Sequence, residues 1–308
     1  MTRAPMPQLA SLLIVAFAAS LLIGAAGFGF PGGKTAAWLI FTEIRLPRAI
    51  LGALIGASLG LAGAALQGYL RNPLAEPGLL GVSGGASLGA VVAIHSGATA
   101  AFALALPVGG LIGAGLATLA VLLLAGERSG PITLILAGVA IASLTGALTT
   151  LALNLSPNPF AAVEMVFWML GSLNDRSLVH VWIASPLMLA GLALLLTLGR
   201  DLDALALGED TAATLGVDLR TLRLKVVAGT IGFVGLVVPH LLRPYVGAEP
   251  GRLLAASALG GAVLVLTADV VLRLLSPVGD LRLGVLTALI GAPFFLWLVL
   301  RTRAELAG

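Results

Sequence analysis

Residues Ala49–Leu70 read AILGALIGASLGLAGAALQGYL and contain no charged side chain. About 20 such residues cross the hydrocarbon core of a bilayer as a helix, because a helix satisfies every backbone polar group within the segment. Gly52, Gly56 and Gly60 recur at every fourth position, and small residues on one face let membrane helices approach closely. The stretch therefore predicts a membrane-spanning helix that packs tightly in a bundle.

The composition of the whole chain agrees with a membrane protein. Of the 308 residues, 59% are hydrophobic and 10% are charged, and the mean hydropathy is +1.08. A soluble domain carries about 25% charged residues, because its surface must stay hydrated. The net charge of +3 is too small for a nucleic-acid partner, and the absence of cysteine excludes a disulfide scaffold. We therefore predict an all-α polytopic membrane protein.

Nine apolar segments along the chain are candidates for membrane spans, of which the third and the seventh are short. The first follows Arg3 in the manner of a signal peptide. It is longer than the usual apolar region of about 7–15 residues, so we predict that it is retained. The predicted spans are Leu9–Phe28, Ala49–Leu70, Leu79–Ile94, Phe102–Ala125, Ile132–Leu153, Leu178–Leu198, Val226–Leu242, Leu253–Leu275 and Leu283–Leu300.

Lys and Arg residues mark the cytoplasmic side of a membrane protein and so give the orientation. With the N-terminus inside, six spans return the chain to the inside at Arg200, which fits. Lys225 and Arg243 then both look cytoplasmic, yet only Val226–Leu242 lies between them. This segment is too short to cross twice. Either it is re-entrant, or the chain lacks residues here that a complete protein has.

Several charged residues lie on the predicted outer side or at membrane depth. Arg45 and Arg48 belong to an outer loop, although positive residues there usually need a reason. Asp269 and Arg273 stand one turn apart in the eighth predicted span. Ionisable residues at this depth are costly and face a partner, a cavity or each other. A self-satisfied ion pair and a functional site are both open interpretations, and Arg273 is also near enough to the outer end to reach the surface.

One motif favours an intramembrane serine protease as an alternative function. Gly81-Val-Ser-Gly-Gly85 matches the nucleophile-elbow pattern, and its Ser83 needs a base within hydrogen-bond reach. His95 lies about 18 Å away along the same helix at 1.5 Å per residue. His180 and His240 lie near the ends of other spans, so the fold decides whether either reaches Ser83. The competing interpretation is a Gly/Ser-rich helix start that allows close packing.

Two further motifs are typical of a passive channel and of a nucleotide-binding protein. Asn72-Pro-Leu-Ala75 and Asn158-Pro-Phe-Ala161 are similar to the paired half-helices of water and glycerol channels. The predicted orientation places them on opposite sides, in loops, which disfavours a channel. Gly33-Lys-Thr35 ends like a phosphate-binding loop but has Phe28 where the first glycine belongs. We therefore expect no nucleotide to bind to this chain.

The polar stretch 201–218, here called the inner segment, lies on the arginine-rich cytoplasmic side. Glu209 and Asp210 favour the start of a short helix, Ala212 and Leu215 belong to its body, and Gly216 favours its end. A short exposed helix between two spans suits docking of a cytoplasmic partner. An ordinary connecting loop is the alternative.

Six motifs in order along residues 40–303 together resemble one family, the FecCD permease subunits of type II ABC importers, which take up haem, ferric siderophores and vitamin B12. The motifs are Arg45–Arg48, Gln67 with Asn72–Ser83, Phe167–Ser172, Gly208–Gly216, Gly232–His240 and Gly284–Pro293.

The resemblance implies an overall organisation and a set of partners. It implies one transmembrane permease domain over residues 1–308, with about ten helices in the family, in the bacterial inner membrane. The permease is expected to form a homodimer with the substrate path along its axis. Two cytoplasmic ATPase subunits carry ATP and Mg²⁺, and a periplasmic binding protein delivers the substrate. This chain is then a transporter and not an enzyme, with no stably bound cofactor or resident metal.

The resemblance also assigns roles to individual residues. Arg45, Arg48 and Arg273 match positions that meet carboxylates on the two lobes of the binding protein. The inner segment becomes the coupling helix that seats in a groove of the ATPase. The coupling residues are Gly208, Glu209, Asp210, Ala212, Leu215 and Gly216.

The substrate and the length of the chain are the two remaining expectations. Phe167–Ser172 is more similar to haem and siderophore permeases than to cobalamin permeases, and haem is the leading prediction. His95 and His180 are candidates for contact with haem iron, although isolated histidines on apolar spans are usually structural. The family has a longer apolar run near Leu224–Val226. We predict that a complete protein has about 15–18 further residues there. This number is the length of one membrane span less the apolar residues that the chain already has at this position.

Overall fold

The computed structural model is almost entirely helical. It describes residues 6–24, 27–102, 104–126, 130–156, 159–229, 237–247, 249–275, 282–289 and 291–293, with Leu296 and Leu300.

The helices before the inner segment include a π-helical turn at Ile40–Arg45 and a 3₁₀ turn at Pro77–Leu80. Two short antiparallel strands, β1 (Ile23–Gly24) and β2 (Gly27–Phe28), pair Ile23 with Phe28. The α-helices in this part are α1 (Met6–Leu22), α2 (Lys34–Leu39), α3 (Leu46–Leu70), α4 (Val82–His95), α5 (Ala98–Ala101), α6 (Ala105–Ala125), α7 (Pro131–Asn154), α8 (Pro159–Met169) and α9 (Leu178–Leu196).

The remaining helices begin at the inner segment. They are α10 (Gly199–Ala206), α11 (Glu209–Thr214), α12 (Leu219–Gly229), α13 (Val237–Val246) and α14 (Pro250–Leu275), followed by a helical stretch over 283–289.

The fold class is as predicted, but the count of nine clear spans is wrong. Among the described residues, five helices are long and apolar enough to cross a membrane. The predicted first and third spans coincide with shorter helices, α1 and α4, and α8 was not predicted. The seventh predicted span lies partly outside the described residues. The helices of adequate length and composition are Lys34–Leu70, Ala105–Ala125, Pro131–Asn154, Leu178–Leu196 and Pro250–Leu275.

The short helices have local causes. The apolar run that starts at Leu79 becomes α4 only at Val82, because Gly81 adopts φ +70° after a 3₁₀ turn. L-residues rarely adopt that backbone conformation, so the helix cannot continue through it. The first run ends as helix at Leu22, where the chain turns into the β1–β2 pair.

The Cα positions group the chain into two compact units. The first comprises Met1–Ala64, Gly171–Gly199 and Val234–Gly308, and the second comprises Ala65–Leu170 and Arg200–Phe233.

The first unit contains close contact between α3 and α14. A Cβ atom added at Gly56 would clash with the backbone of Gly261, and one at Gly60 would clash with the backbone of Ser257. The predicted tight packing of this glycine series is therefore present. Around it, Ala16 of α1 packs with the buried side chains of α3 and α14.

The second unit contains an equally close contact between α4 and α6. Gly85 and Gly89 of α4 lie against Gly113 and Gly109 of α6, and the backbones touch directly. Such contacts replace interdigitating side chains by dispersion and Cα–H contacts between the backbones. A methyl group at any of these four positions has no space.

We expect Gly113→Ala to destabilise the second unit by about 1–3 kcal/mol, the usual cost of an overpacked interface. The added Cβ meets the backbone of Gly85 and Gly89. Gly115→Ala is the matched control, since it gains the same helix propensity on the same helix but meets nothing within 4 Å. Denaturation of both variants in detergent is the measurement. Equal stability of the two variants would contradict direct backbone contact.

Candidate functional site

The inner segment contains a short helix where the sequence predicts one. Helix α11 begins at Glu209 and ends at Thr214, with Glu209 and Asp210 in its first turn. Their negative charges lie at the positive end of the helix dipole, where they stabilise the helix. Gly208 precedes the helix with φ +114°, a backbone angle that favours glycine.

The end of α11 is fixed by a Schellman motif. The N–H of Val217 donates to the carbonyl of Ala212 at 3.0 Å, and the N–H of Gly216 donates to the carbonyl of Ala213 at 3.0 Å. Gly216 has φ +86°, which this motif requires and glycine permits. The predicted stop at Gly216 is therefore confirmed. Its conformation fixes the direction in which the chain leaves α11.

Helix α11 has an acidic first turn and is flanked by aliphatic side chains on either side. Ala212 is buried, whereas Leu215 is 63% exposed and Leu207, just before the helix, is 69% exposed. Asp210 is also exposed. Exposed leucines that flank a short polar helix are suited to entering an apolar groove of a partner.

An ion pair joins α11 to the end of α3. Arg71 Nη2 lies 3.1 Å from Glu209 Oε1, and both side chains are about half exposed. Arg71 has φ +49° and follows the last residue of α3. An exposed pair of this kind contributes at most about 1 kcal/mol to stability. The main effect of the ion pair is to position α11, because it holds the first residue of this helix against the end of α3.

The start of α12 is capped beside the inner segment. The Asp218 carboxylate accepts hydrogen bonds from the Thr221 hydroxyl and from the backbone N–H of Arg220, the latter at 3.0 Å. The bond from Thr221 lowers the pKa of Asp218, because it favours the ionised carboxylate. Arg223, one turn further on, donates from Nη1 to the carbonyl of Gly126 at 2.7 Å and ties α12 to the end of α6.

The three arginines predicted for docking lie together with Asp269, in a group here called the arginine cluster. The structure places it in the first unit. Arg45 is 4% exposed and Arg273 is 5% exposed, and the Arg48 side chain retains 12%. Two of the three guanidinium groups, those of Arg48 and Arg273, share the buried carboxylate of Asp269.

Two arginines of the cluster cap the last turn of α1 and the first residue of β1. Arg45 Nη1 donates to the carbonyls of Leu21 and Leu22 at 2.9 and 2.8 Å. Arg273 Nη1 donates to the carbonyls of Ser20 and Ile23 at 2.8 and 2.6 Å. The last carbonyls of a helix have no partner within the helix and carry partial negative charge. Buried cations satisfy them here, which is why positive residues stand at this end.

Asp269 is the shared acceptor of the cluster. Arg48 donates to it from Nε at 3.0 Å and from Nη2 at 2.8 Å. Arg273 Nη2 lies 2.9 Å from its other oxygen. The predicted pair of Asp269 and Arg273 is present, but the carboxylate also binds Arg48 from α3. Paired, charge-assisted hydrogen bonds of this kind are the strong ones in proteins.

The histidines do not complete a catalytic site within the described residues. Ser83 lies near the start of α4, and His95 lies at the other end of the same helix. His180 Nδ1 is 3.1 Å from the Ser177 hydroxyl and caps the start of α9. The side chain of His240 and the motif residue Asn158 lie outside the part of the chain that is described. No group of three or more metal-ligating side chains occurs in the described residues.

Residues 12–301 of the chain match the FecCD transport family. The chain belongs to the FecCD transport family. This FecCD protein is a transport permease and not an enzyme.

Named relatives of this FecCD protein cover most of its length. It is 37% identical over 319 positions to the hemin transport system permease protein HmuU of Yersinia pestis, covering 96% of this chain and 95% of the relative. It is 42% identical to the Fe(3+) dicitrate transport system permease protein FecD of Escherichia coli, covering 86% of each. It is 40% identical to the vitamin B12 import system permease protein BtuC of Vibrio cholerae, covering 85% and 82%.

A solved structure supports the same fold for the FecCD chain. A metal-chelate type ABC transporter in an inward-facing conformation superposes with a TM-score of 0.82 at 33% identity. The match covers 95% of this chain and 97% of the other.

Sequence reasoning about this FecCD chain missed the partners of the outer arginines. Arg45 reaches carbonyls 23 and 24 positions away, and Arg48 reaches Asp269 across 221 positions. The signal available in the sequence was positive charge on the predicted outer side of the membrane, for which the family resemblance supplied docking as the reason. The role of these arginines in docking stays a prediction.

Proposed function

We propose that this chain is the membrane-spanning permease subunit of an ATP-driven importer that moves haem from the periplasm to the cytoplasm. Membership of the FecCD transport family and the match to an ABC transporter over 95% of the chain support a type II importer permease. The near-complete alignment with a hemin permease and the Phe167–Ser172 segment favour haem as substrate. Permeases named for ferric dicitrate and vitamin B12 are similarly related, so a ferric siderophore or B12 is the alternative substrate.

The proposed assembly contains two copies of this chain, two cytoplasmic ATPase subunits and a periplasmic binding protein in the bacterial inner membrane. ATP and Mg²⁺ belong to the ATPase, and this chain holds no resident cofactor. The exposed Leu207 and Leu215 beside α11 suit an apolar groove on the ATPase. Arg45, Arg48 and Arg273 form the proposed docking region for the binding protein.

The proposed mechanism is alternating access. ATP binding closes the ATPase dimer and displaces α11, which the Arg71–Glu209 pair holds against the end of α3. The Schellman motif stabilises the end of α11 as a helix. Movement of the ATPase therefore displaces α11 together with the flanking chain and does not unwind it. The paired α7 region then opens one gate while the other closes. No residue of this chain forms a covalent intermediate.

Reconstitution with the cognate ATPase and binding protein tests the function. We expect the three components to copurify, and ATP-dependent uptake into proteoliposomes to require the loaded binding protein. Haem, ferric citrate and cobalamin are offered separately, and uptake of haem alone supports the leading substrate. Uptake of another cargo would replace haem while keeping the importer. Uptake unaffected by ATP depletion, or swelling without any ATPase, would overturn the importer itself.

A further inference from the structure

We propose that the second unit binds one acyl chain of a membrane lipid in a cleft between α4, α6 and α7. The cleft has a volume of about 590 Å³ and belongs to no site described above. The proposal goes beyond the importer function, because it concerns the bilayer and does not depend on which cargo is moved. The lining of the cleft, its surroundings and its dimensions all favour a hydrocarbon chain.

The floor of the cleft is formed by the glycine contacts between α4 and α6. Gly85 and Gly89 of α4 line it together with Gly109 and Gly113 of α6. The two backbones touch at these positions, which contribute no side chains, so a cavity remains beside the contact. Ala117, which is 5% exposed, continues the floor along α6. The glycines that let the helices approach therefore also leave space for another group.

The lining of the cleft is apolar. Among the described residues that line it, Thr145 is the only one with a polar side chain, and its hydroxyl donates to the carbonyl of Ile141 at 2.8 Å. The lining therefore offers a polar ligand little to bind. An apolar cavity of this kind stays dry, and an empty one lacks the dispersion contacts that an occupant would make with its walls. An apolar occupant is therefore favoured.

The surroundings of the cleft supply such an occupant. Helices α6 and α7 are long and apolar enough to cross a membrane. Leu116 of α6 and Leu144 of α7 line the cleft and are 62% and 53% exposed. Beside exposed leucines on membrane-spanning helices lies the hydrocarbon of the bilayer. Acyl chains are therefore present at the opening of the cleft.

The dimensions of the cleft fit one acyl chain. Its lining residues on α6 run from Ala105 to Ala120, which is about 22 Å at 1.5 Å per residue. One leaflet of the hydrocarbon core is shorter, about 15 Å. The volume divided by the length gives a mean cross-section of about 27 Å². A helix about 10 Å across needs about 80 Å², so a helix from a second copy of the chain does not fit inside.

A photoactivatable phospholipid tests the site in the purified protein in nanodiscs. The reagent is phosphatidylethanolamine with a diazirine in the middle of one acyl chain, and adducts are located by peptide mass spectrometry. We expect adducts at the cleft floor, at Ala117, as well as at Leu123, which is 72% exposed on the same helix and does not line the cleft. Adducts at Leu123 without any at Ala117 would overturn the proposal, because bulk lipid would then contact the helix without entering the cleft.

A variant with a filled cleft gives the second measurement. Ala120 lines the cleft, so Ala120→Phe introduces a ring there. We expect adducts at Ala117 to fall about tenfold, because the ring and an acyl chain compete for the same space, while adducts at Leu123 persist. Gly115→Phe is the matched control, because Gly115 is on the same helix but does not line the cleft, and a Cβ added there meets nothing within 4 Å. Equal adduct yields at Ala117 in the two variants would contradict occupation of the cleft by lipid.

Discussion

Replacing Leu215 by aspartate should abolish ATP-driven uptake while the chain still folds. Leu215 is 63% exposed at the end of α11, so the change removes no internal contact of consequence. In the proposed complex it loses the burial of a leucine, about 1.5–3 kcal/mol. It also places a negative charge at the negative end of the helix dipole. Because each 1.4 kcal/mol is tenfold in affinity, we expect ATPase association to fall about tenfold to a hundredfold.

Copurification of the ATPase and ATP-dependent uptake are the two measurements for Leu215→Asp. Leu155→Asp is the matched control, since that leucine is 64% exposed but follows α7 on the predicted outer side. The Leu155→Asp variant should still copurify with the ATPase subunit. If both variants retain the ATPase equally, α11 is not the coupling element. If both lose it, the loss reflects general damage rather than a lost docking contact.

Replacing Arg273 by leucine should prevent stable folding of the first unit. The change removes the donor to the carbonyls of Ser20 and Ile23 and one of the two cations on Asp269. Breaking a buried pair by removing one partner costs about 3–5 kcal/mol, which is a large part of the stability of a typical domain. We expect a sharply lower denaturation midpoint or no recoverable protein.

Arg252→Leu on the same helix is the comparison for Arg273→Leu. Arg252 forms an exposed pair with Glu249 at 2.8 Å, and exposed pairs contribute about 0–1 kcal/mol. Its denaturation midpoint in detergent should stay close to that of the parent protein. Similar midpoints for the two variants would show that the cap on α1 is not needed.

The inner segment was predictable because its signals are local. Acidic residues at the start, a short apolar body and Gly216 at the end lie within eight residues, and the hydrogen bonds that form the helix join the same residues. The proposed role of Leu215 at a partner surface rests on its exposure, which a sequence pattern does not report. Local sequence signals therefore predict helix α11, whereas the exposure of the side chains beside it is known only from the structure.

The number of spans was less predictable, because a hydropathy pattern does not show where a helix is interrupted within a continuous apolar run. The run beginning at Leu79 is continuous in hydropathy, but Gly81 interrupts it as helix. The run beginning at Leu9 likewise extends beyond the end of α1 at Leu22. Helix α8 was not expected, since a stretch of 11 residues lies below the length that identifies a span.

The predicted internal gap stays a prediction. Helix α12 runs from Leu219 to Gly229 across the position concerned. The alignment with HmuU extends over 319 positions, more than the 308 residues of this chain. It therefore includes positions for which this chain has no residue. The gene sequence around Leu224–Val226 tests the prediction, and a gene without the additional residues would refute it.

The cap on α1 also constrains the order in which the protein can be made. Arg273 lies 253 positions after Ser20, so the carbonyls of Ser20 and Ile23 receive this donor only after residue 273 of the 308 has left the ribosome. Until then the nascent outer end of α1 must be hydrated or held by the insertion machinery. Any stop codon before α14 therefore damages the beginning of the protein as well as its end.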